Sequence, residues 1–490
     1  MSDGKGLSVG WASRDITPDR PVNLLGQFHM RISKGVQDPV TATALSVSSD
    51  DDAFIWISCD LCAVPDVVLA TCREKLKRLA PDFPSEKLVM SATHTHTAPD
   101  LPGSWYPLPP AGVMTPAEYG DLLAERAAEA AAESWNSRKA GAVGWGYGHA
   151  VVAHNRRAVY FDDLSLRPGY VDQPGTKTER NARMYGDTSD PQFSHLEGYV
   201  DHGVNLLYTF DAKRRLTGAV CCLPCPSQET EGMEMISADF WHETRVELRK
   251  RHGEKLFLLP QCAPSGDLSP HLMYDKKAEQ RMLELKERTS RQEIAVRLAD
   301  AFDETLQWAR NDIRAEAPLR HAVRHITLPR RMISEAERCS AQAGLAALER
   351  KPGDQPTGAW LERDDVRFAR SLRCRRIIER FEEQKHNPGF PMELHAIRLG
   401  DVAFATNPFE LFLDYGLRIT ARSPALQTFL AQLAAGGNAS YLATRRAVEG
   451  ESYSACLYCN EVGPEGGQVL VEKTLELLRG LWPEASQKSK

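Results

Sequence analysis

The sequence predicts an α/β protein. Short apolar, β-branched runs alternate with stretches of helical periodicity, and no repeat, Gly/Ser linker or long charge block divides them. The composition, 42% apolar and 26% charged, is that of an ordinary folded domain. At roughly 150 residues per domain, 490 residues allow about three domains, although large α/β domains exceed that size.

Strands are expected at 53–59 (AFIWISC), 87–93 (KLVMSAT), 204–210 (VNLLYTF), 218–223 (GAVCCL) and 255–260 (KLFLLP). Residues 65–80 place Val68, Cys72, Leu76 and Leu79 on one helical face. Thr115-Pro116-Ala117-Glu118 forms a capping box with proline at the first helical position and opens an Ala/Glu-rich helix to about Trp135. A long helical pattern covers 274–310, and 393–406 reads as a hairpin turning at Gly400-Asp401. Residues 161–194, rich in Asp, Gly, Pro and Arg, lack periodicity and read as a functional loop or lid, or as a plain surface excursion.

Sixty basic against 66 acidic residues give a net charge of −6. No basic excess is available for phosphate contacts, so nucleic acid is not expected as a partner. No run of about 18 apolar residues suggests a membrane span. No hydrophobic export segment is visible at the start, so a cytoplasmic location with eleven reduced cysteines is expected.

Three strings carry chemistry. The first is Thr93-His94-Thr95-His96-Thr97, at the end of an expected strand. In extended chain His94 and His96 project to one face, where they can share a metal or polarise a substrate; a pair of surface histidines is the plainer alternative. The second, APSGDLSP over 263–270, follows a strand and offers the Ser269 hydroxyl as a nucleophile or a water-orienting group, or is simply a turn. The third, NPFELF over 407–412, sets Glu410 in an apolar run. A carboxylate there needs a partner or a metal, unless it serves a helix N-terminus.

In this order the strings resemble the neutral/alkaline non-lysosomal ceramidase family of zinc-dependent amidases. The opening GWASRDIT (10–17), Asn155-Arg156, ISAD (236–239), YLAT (441–444) and VGPEGG (462–467) extend the likeness over most of the chain. The resemblance implies one large mixed-sheet catalytic domain spanning 1–490, without the family's C-terminal β-sandwich. It implies zinc as cofactor, held by His94, Glu410, Tyr441 and a second, distant histidine. His96 would contact substrate or its oxyanion, Ser269 would be the active serine, and Arg156 would hold the substrate. The sequence departs from the family where that second histidine belongs: LPCPSQ (223–228) places Cys225 there. A thiolate is a competent zinc ligand. Asp239 and His242, three apart on an expected helix, are the alternative replacement ligands or an acid/base pair.

The expected function is a zinc-dependent hydrolase, an amidase for a small or polar substrate, since no membrane-docking segment stands out for ceramide. A glycoside or ester hydrolase, or a non-catalytic ligand-binding protein derived from a hydrolase, are the alternatives. The three CxxC pairs, Cys59/Cys62, Cys222/Cys225 and Cys456/Cys459, allow a rival cysteine-only metal cluster.

Overall fold

The computed structural model describes residues 5–170, 179–349, 364–436 and 440–482. Two sheets lie between two layers of helices. The larger has eight strands, in the order Phe257–Cys262, Leu216–Leu223, Gly203–Asp211, Lys139–His149, Ser8–Asp15, Thr41–Ser48, Ala53–Cys59 and Leu88–Ala92. It is mixed: the two outermost pairs are parallel and the inner pairs antiparallel. The smaller sheet orders Leu319–Pro329, Gly389–Leu399, Val402–Thr406 and Gln427–Ala431, its last pair parallel.

The strand Ala53–Cys59 shows why apolar runs mark this sheet. Its side chains alternate between two cores. Ile55, Ile57 and Cys59 pack under the helices Asp66–Leu79 and Pro116–Asn136. Phe54 and Trp56 enter the core between the sheets, with Phe404, Phe429 and Ile397. A strand covered on both faces has no polar face to show, so its signature is continuous rather than alternating. The helices Phe240–His252 and Ser290–Ala309 cover the rest of the large sheet. Leu413–Arg422 and Pro464–Arg479 cover the small one.

Most local expectations hold. The capping box at Thr115 and Glu118 is formed, and Gly400-Asp401 is the two-residue turn between Leu399 and Val402. The pattern at 274–310 is two helices, Lys276–Lys286 and Ser290–Ala309, because Glu287 turns left-handed and Thr289 caps a new helix. The stretch 161–194 is only partly irregular. Residues 171–178 lie outside the described residues, but Ala182–Met184 pairs with Arg157–Tyr160 in a three-stranded sheet completed by Phe193–Leu196. Among the described residues, no helix is long and apolar enough to cross a membrane.

The two sheets are stitched at one edge. Ala92 donates to Leu433 O, Gln432 donates to Cys262 O, and Ser91 bridges to Ala434. The C-terminal ends of Ala53–Cys59, Leu88–Ala92, Phe257–Cys262 and Val402–Thr406 therefore open onto one place, as ligand sites in open α/β sheets commonly do.

Candidate active site

The loops leaving those strand ends carry the three chemical strings. His94 does not sit in extended chain, as the strand pattern suggested. The strand ends at Ala92, and His94 adopts φ +63°. A left-handed non-glycine residue is held only where its surroundings fix it, and such strain collects at functional positions. The turn still brings the rings together, His96 Nε2 lying 3.4 Å from His94 Nε2.

The partners of His94 fix its tautomer. Its Nδ1 lies 2.7 Å from Cys62 O, a carbonyl that can only accept. The Nδ1 proton is thus committed, and Nε2 turns a lone pair toward Glu410 Oε2 at 3.1 Å. Two electron-rich atoms this close need a cation between them, either a proton or a metal ion. Burial disfavours charge on His94, but Cys62 and Glu410 outweigh it and hold its pKa well above the ordinary value. Burial likewise opposes the charge on Glu410, and His94 and Arg156 more than compensate. Donors on a tetrahedral zinc at about 2.0–2.1 Å lie roughly 3.3 Å apart. The separations from His94 Nε2 to His96 and Glu410 fit that spacing.

Tyr441 is brought in by backbone pairing, since Glu410 and Tyr441 are partners in a parallel bridge. Its phenol lies beside Glu410, helping to hold that carboxyl's pKa down, and accepts from Arg156 Nη2 at 3.2 Å. Arg156 also donates to Tyr185 Oη, Gln228 Oε1 and Gly266 O. This fully buried guanidinium spends both terminal nitrogens on the protein, leaving Nε unpartnered.

His96 lies between two further groups. Gln228 Nε2 approaches its Nε2 at 2.9 Å, and Glu231 Oε2 lies 3.5 Å from its Nδ1. The pairing places the ring proton on Nδ1, toward the carboxylate. His271 Nδ1 lies 3.8 Å from the other oxygen of Glu231. Ser269 pairs in register with His154 and accepts from the His271 amide at 3.2 Å. Among the described residues, no carboxylate or imidazole hydrogen-bonds Ser269 as a base would.

Close backbone approach builds the pocket. Gly26, at φ +117°, would place a Cβ 2.5 Å from His96 Cγ, so only glycine admits this loop against the ring. A Cβ at Gly266 would meet Glu410 O at 2.4 Å, which lets the 263–270 loop lie on the 407–412 loop.

Three expected residues are placed differently. Cys225 lies in apolar core with Leu223, Phe240, Trp241 and Leu268, its Sγ 3.4 Å from Pro226 O. Burial pushes this thiol well up, away from the thiolate a metal needs. The cysteine that reaches the histidines is Cys62. With His94 and His96 it forms the group of three metal-ligating side chains gathered among the described residues. Burial would raise the Cys62 thiol, but His94 and His96 bring it down to about 6. Its sulfur lies 3.6 Å from His94 Nδ1, the nitrogen on the opposite edge of the ring from Glu410. Cys62 and Glu410 therefore cannot share an ion through one nitrogen of His94 in this ring orientation.

Asp239 and His242 do not share a helical face at the site. Asp239 precedes the helix Phe240–His252 and caps it through Phe240 N. Its other oxygen accepts from Thr230 N and Oγ1, both at 2.7 Å, and Thr230 in turn holds Thr97. Asp239 thereby anchors the loop of His94 and His96. His242 is half-buried in the first helical turn. The CxxC pairs stay apart: Cys59 is in the helix-side core, Cys222 in the inter-sheet core, and Cys456 and Cys459 face each other at 3.3 Å.

Tyr185, Gln228, Glu231 and His271 went unread in the sequence, and Cys62 was read only as part of a cysteine cluster. Only Cys62, in its CxxC, carried a local signal.

No protein-family model and no curated protein sequence matches the chain. Solved structures do. A neutral ceramidase from Pseudomonas aeruginosa matches with a TM-score of 0.64 at 17% identity, over 100% of this chain and 77% of that one. A ceramidase complexed with C2 matches with a TM-score of 0.64 at 16% identity, over 99% of this chain and 77% of that one. The chain has the neutral ceramidase fold, and the neighbours extend beyond the part it matches.

Proposed function

We propose that this protein is a metal-dependent hydrolase, an amidase acting on a small or polar substrate. The observation that carries this reading is the approach of His94 Nε2 to Glu410 Oε2 at 3.1 Å, with the other nitrogen of the ring already bonded. The fold shared with ceramidases supports amide chemistry.

His94 and Glu410 would hold the ion, with His96 Nε2 and the Tyr441 phenol as the further donors in reach. Zinc suits the nitrogen and oxygen donors, and when bound it polarises a carbonyl and acidifies a water. The remaining work falls to the chain. Arg156 donates to the Tyr441 phenol and fixes its orientation. His96 presents its ring with Nδ1 toward Glu231, and that carboxylate holds Nε2 turned toward His94. Ser269 accepts from the His271 amide and has no base on its hydroxyl among the described residues, which suits a substrate-orienting serine better than a nucleophilic one. Arg156, Gln228, Tyr185 and Glu231 give the pocket a polar lining, which favours a polar substrate over ceramide.

Chelation followed by zinc replacement tests the proposal. Hydrolysis of a panel of small amides should stop with chelator and return with zinc. A metal-loaded, folded protein that cleaves no amide or ester, yet binds one tightly, would overturn it in favour of the ligand-binding alternative. Loss of the family's second histidine is the observation on that side.

A further inference from the structure

The interior Arg156 spends both terminal nitrogens on the protein, so no two-pronged edge of it is left for an anionic substrate group. One stands at the rim. The helix Asp364–Glu383 is fixed against the loop that carries Gly26, because Asp365 accepts a hydrogen bond from Met30 N at 2.7 Å. Two turns on, Arg373 makes cation–π contacts with two aromatic rings, its guanidinium carbon 5.2 Å from the Phe28 ring centre and 4.6 Å from that of Tyr458.

Those rings belong to the site's own wall. Phe28 meets Tyr453 edge-on at 4.9 Å, and Tyr453 meets Tyr441 edge-on at 5.5 Å. Phe28 follows the loop that rests on His96, and its ring is 40% exposed. The aromatic row thus runs from the Tyr441 phenol outward to Arg373.

What distinguishes Arg373 is what it lacks. Arg157 is bound by Glu197 and by carbonyls of the 447–453 segment. Arg331 and Arg380 spend their nitrogens on backbone carbonyls and Asn460. Among the described residues, Arg373 faces the rings of Phe28 and Tyr458 and lies near the Cys456 and Cys459 thiols, with no carboxylate, carbonyl or hydroxyl hydrogen-bonded to its nitrogens. Stacking holds the plane of a guanidinium and leaves its edge of N–H donors free, the geometry that takes an oxyanion two bonds at a time. Arg370, one turn earlier on the same helix, adds positive charge beside it.

We infer that Arg373 recognises an anionic group on the substrate, and that the substrate is an amide bearing a carboxylate or a phosphate. This rests on the hydrolase reading and specifies its substrate class.

The test compares the p-nitroanilides of acetic, succinic and 3-phosphonopropionic acid, which share a scissile bond and differ in charge. The wild-type protein should prefer an anionic substrate over the acetyl one by tenfold or more in kcat/KM, chiefly through KM. The anionic substrate that gains identifies the group. Arg373→Met preserves the packed stem and should erase the preference, leaving acetyl hydrolysis and zinc content unchanged. Arg373→Lys keeps the charge without the fork and should retain part of it. Equal rates on all three substrates, or a preference that survives Arg373→Met, would overturn the inference. If none is hydrolysed while another small amide is, the hydrolase reading stands and the substrate-class inference is decided by binding. Calorimetric binding of succinate then decides the role of Arg373: weakening by tenfold in Arg373→Met supports it, and unchanged affinity refutes it.

Discussion

At the scale of single residues, the account turns on which atoms of His94 and its neighbours are free. Because Nδ1 is bonded to a carbonyl, the proposed metal site uses Nε2 and Glu410, not Cys225. Cys225→Ser should leave zinc content within about twofold of wild type, measured by elemental analysis after dialysis, and cost stability through a polar group placed in apolar core. A large loss of zinc in the folded variant would return Cys225 to the site. The sequence made His94, Glu410 and Tyr441 legible because each sits in a string whose chemistry or family likeness is local. It could not place Cys225, whose sulfur lies in apolar core, because nothing in LPCPSQ says which way a sulfur turns. Gln228, three residues on, is the side chain that reaches His96.

At the scale of elements, the ion network beneath the site ties the helix Asp66–Leu79 to the strand Gly389–Leu399. Arg73 donates to both oxygens of Glu393, at 3.0 and 2.6 Å, and His395 Nε2 lies 2.6 Å from one of them. Burial raises the Glu393 pKa, but His395 and Arg73 outweigh it and hold the group down to about 2. A carboxyl whose folded pKa is depressed stabilises the fold above its unfolded value near 4.5. That contribution is lost as pH falls from about 4.5 toward about 2. Glu393→Gln should therefore lower stability at pH 7 by about 2–3 kcal/mol and flatten the acid limb of the stability–pH curve, read by urea denaturation. An unchanged acid limb would remove Glu393 from this role. Elements whose signals are local, such as the capped helix at Thr115 and the turn at Gly400-Asp401, could be read from sequence. The eleven-residue strand Leu319–Pro329 could not, because half-exposed residues and four arginine and histidine positions break its apolar pattern.

At the scale of the whole molecule, two sheets share one buried core, and the site forms where their edges are sewn together. Phe404 is central to that core, stacked on Phe429 at 4.5 Å and tilted against Trp56 and Phe54. Phe404→Ala should cost about 3–5 kcal/mol by denaturant titration. If the sheets set the site jointly, zinc affinity should fall with it, and full affinity in the cavity variant would show that the site is held locally. The pairing of the two sheets was not legible, since strand order depends on partners hundreds of residues apart. Only likeness to a known family suggested one large mixed-sheet domain.

The central claim is that His94 and Glu410 hold one catalytic ion between them. Equilibrium zinc titration of the chelator-stripped protein tests it directly, alongside folded His94→Ala and Glu410→Gln variants. The account predicts one zinc per chain in the wild-type protein and at least a hundredfold weaker binding in each variant. A wild-type protein that takes up no zinc, or variants that bind it as tightly as wild type, would contradict it.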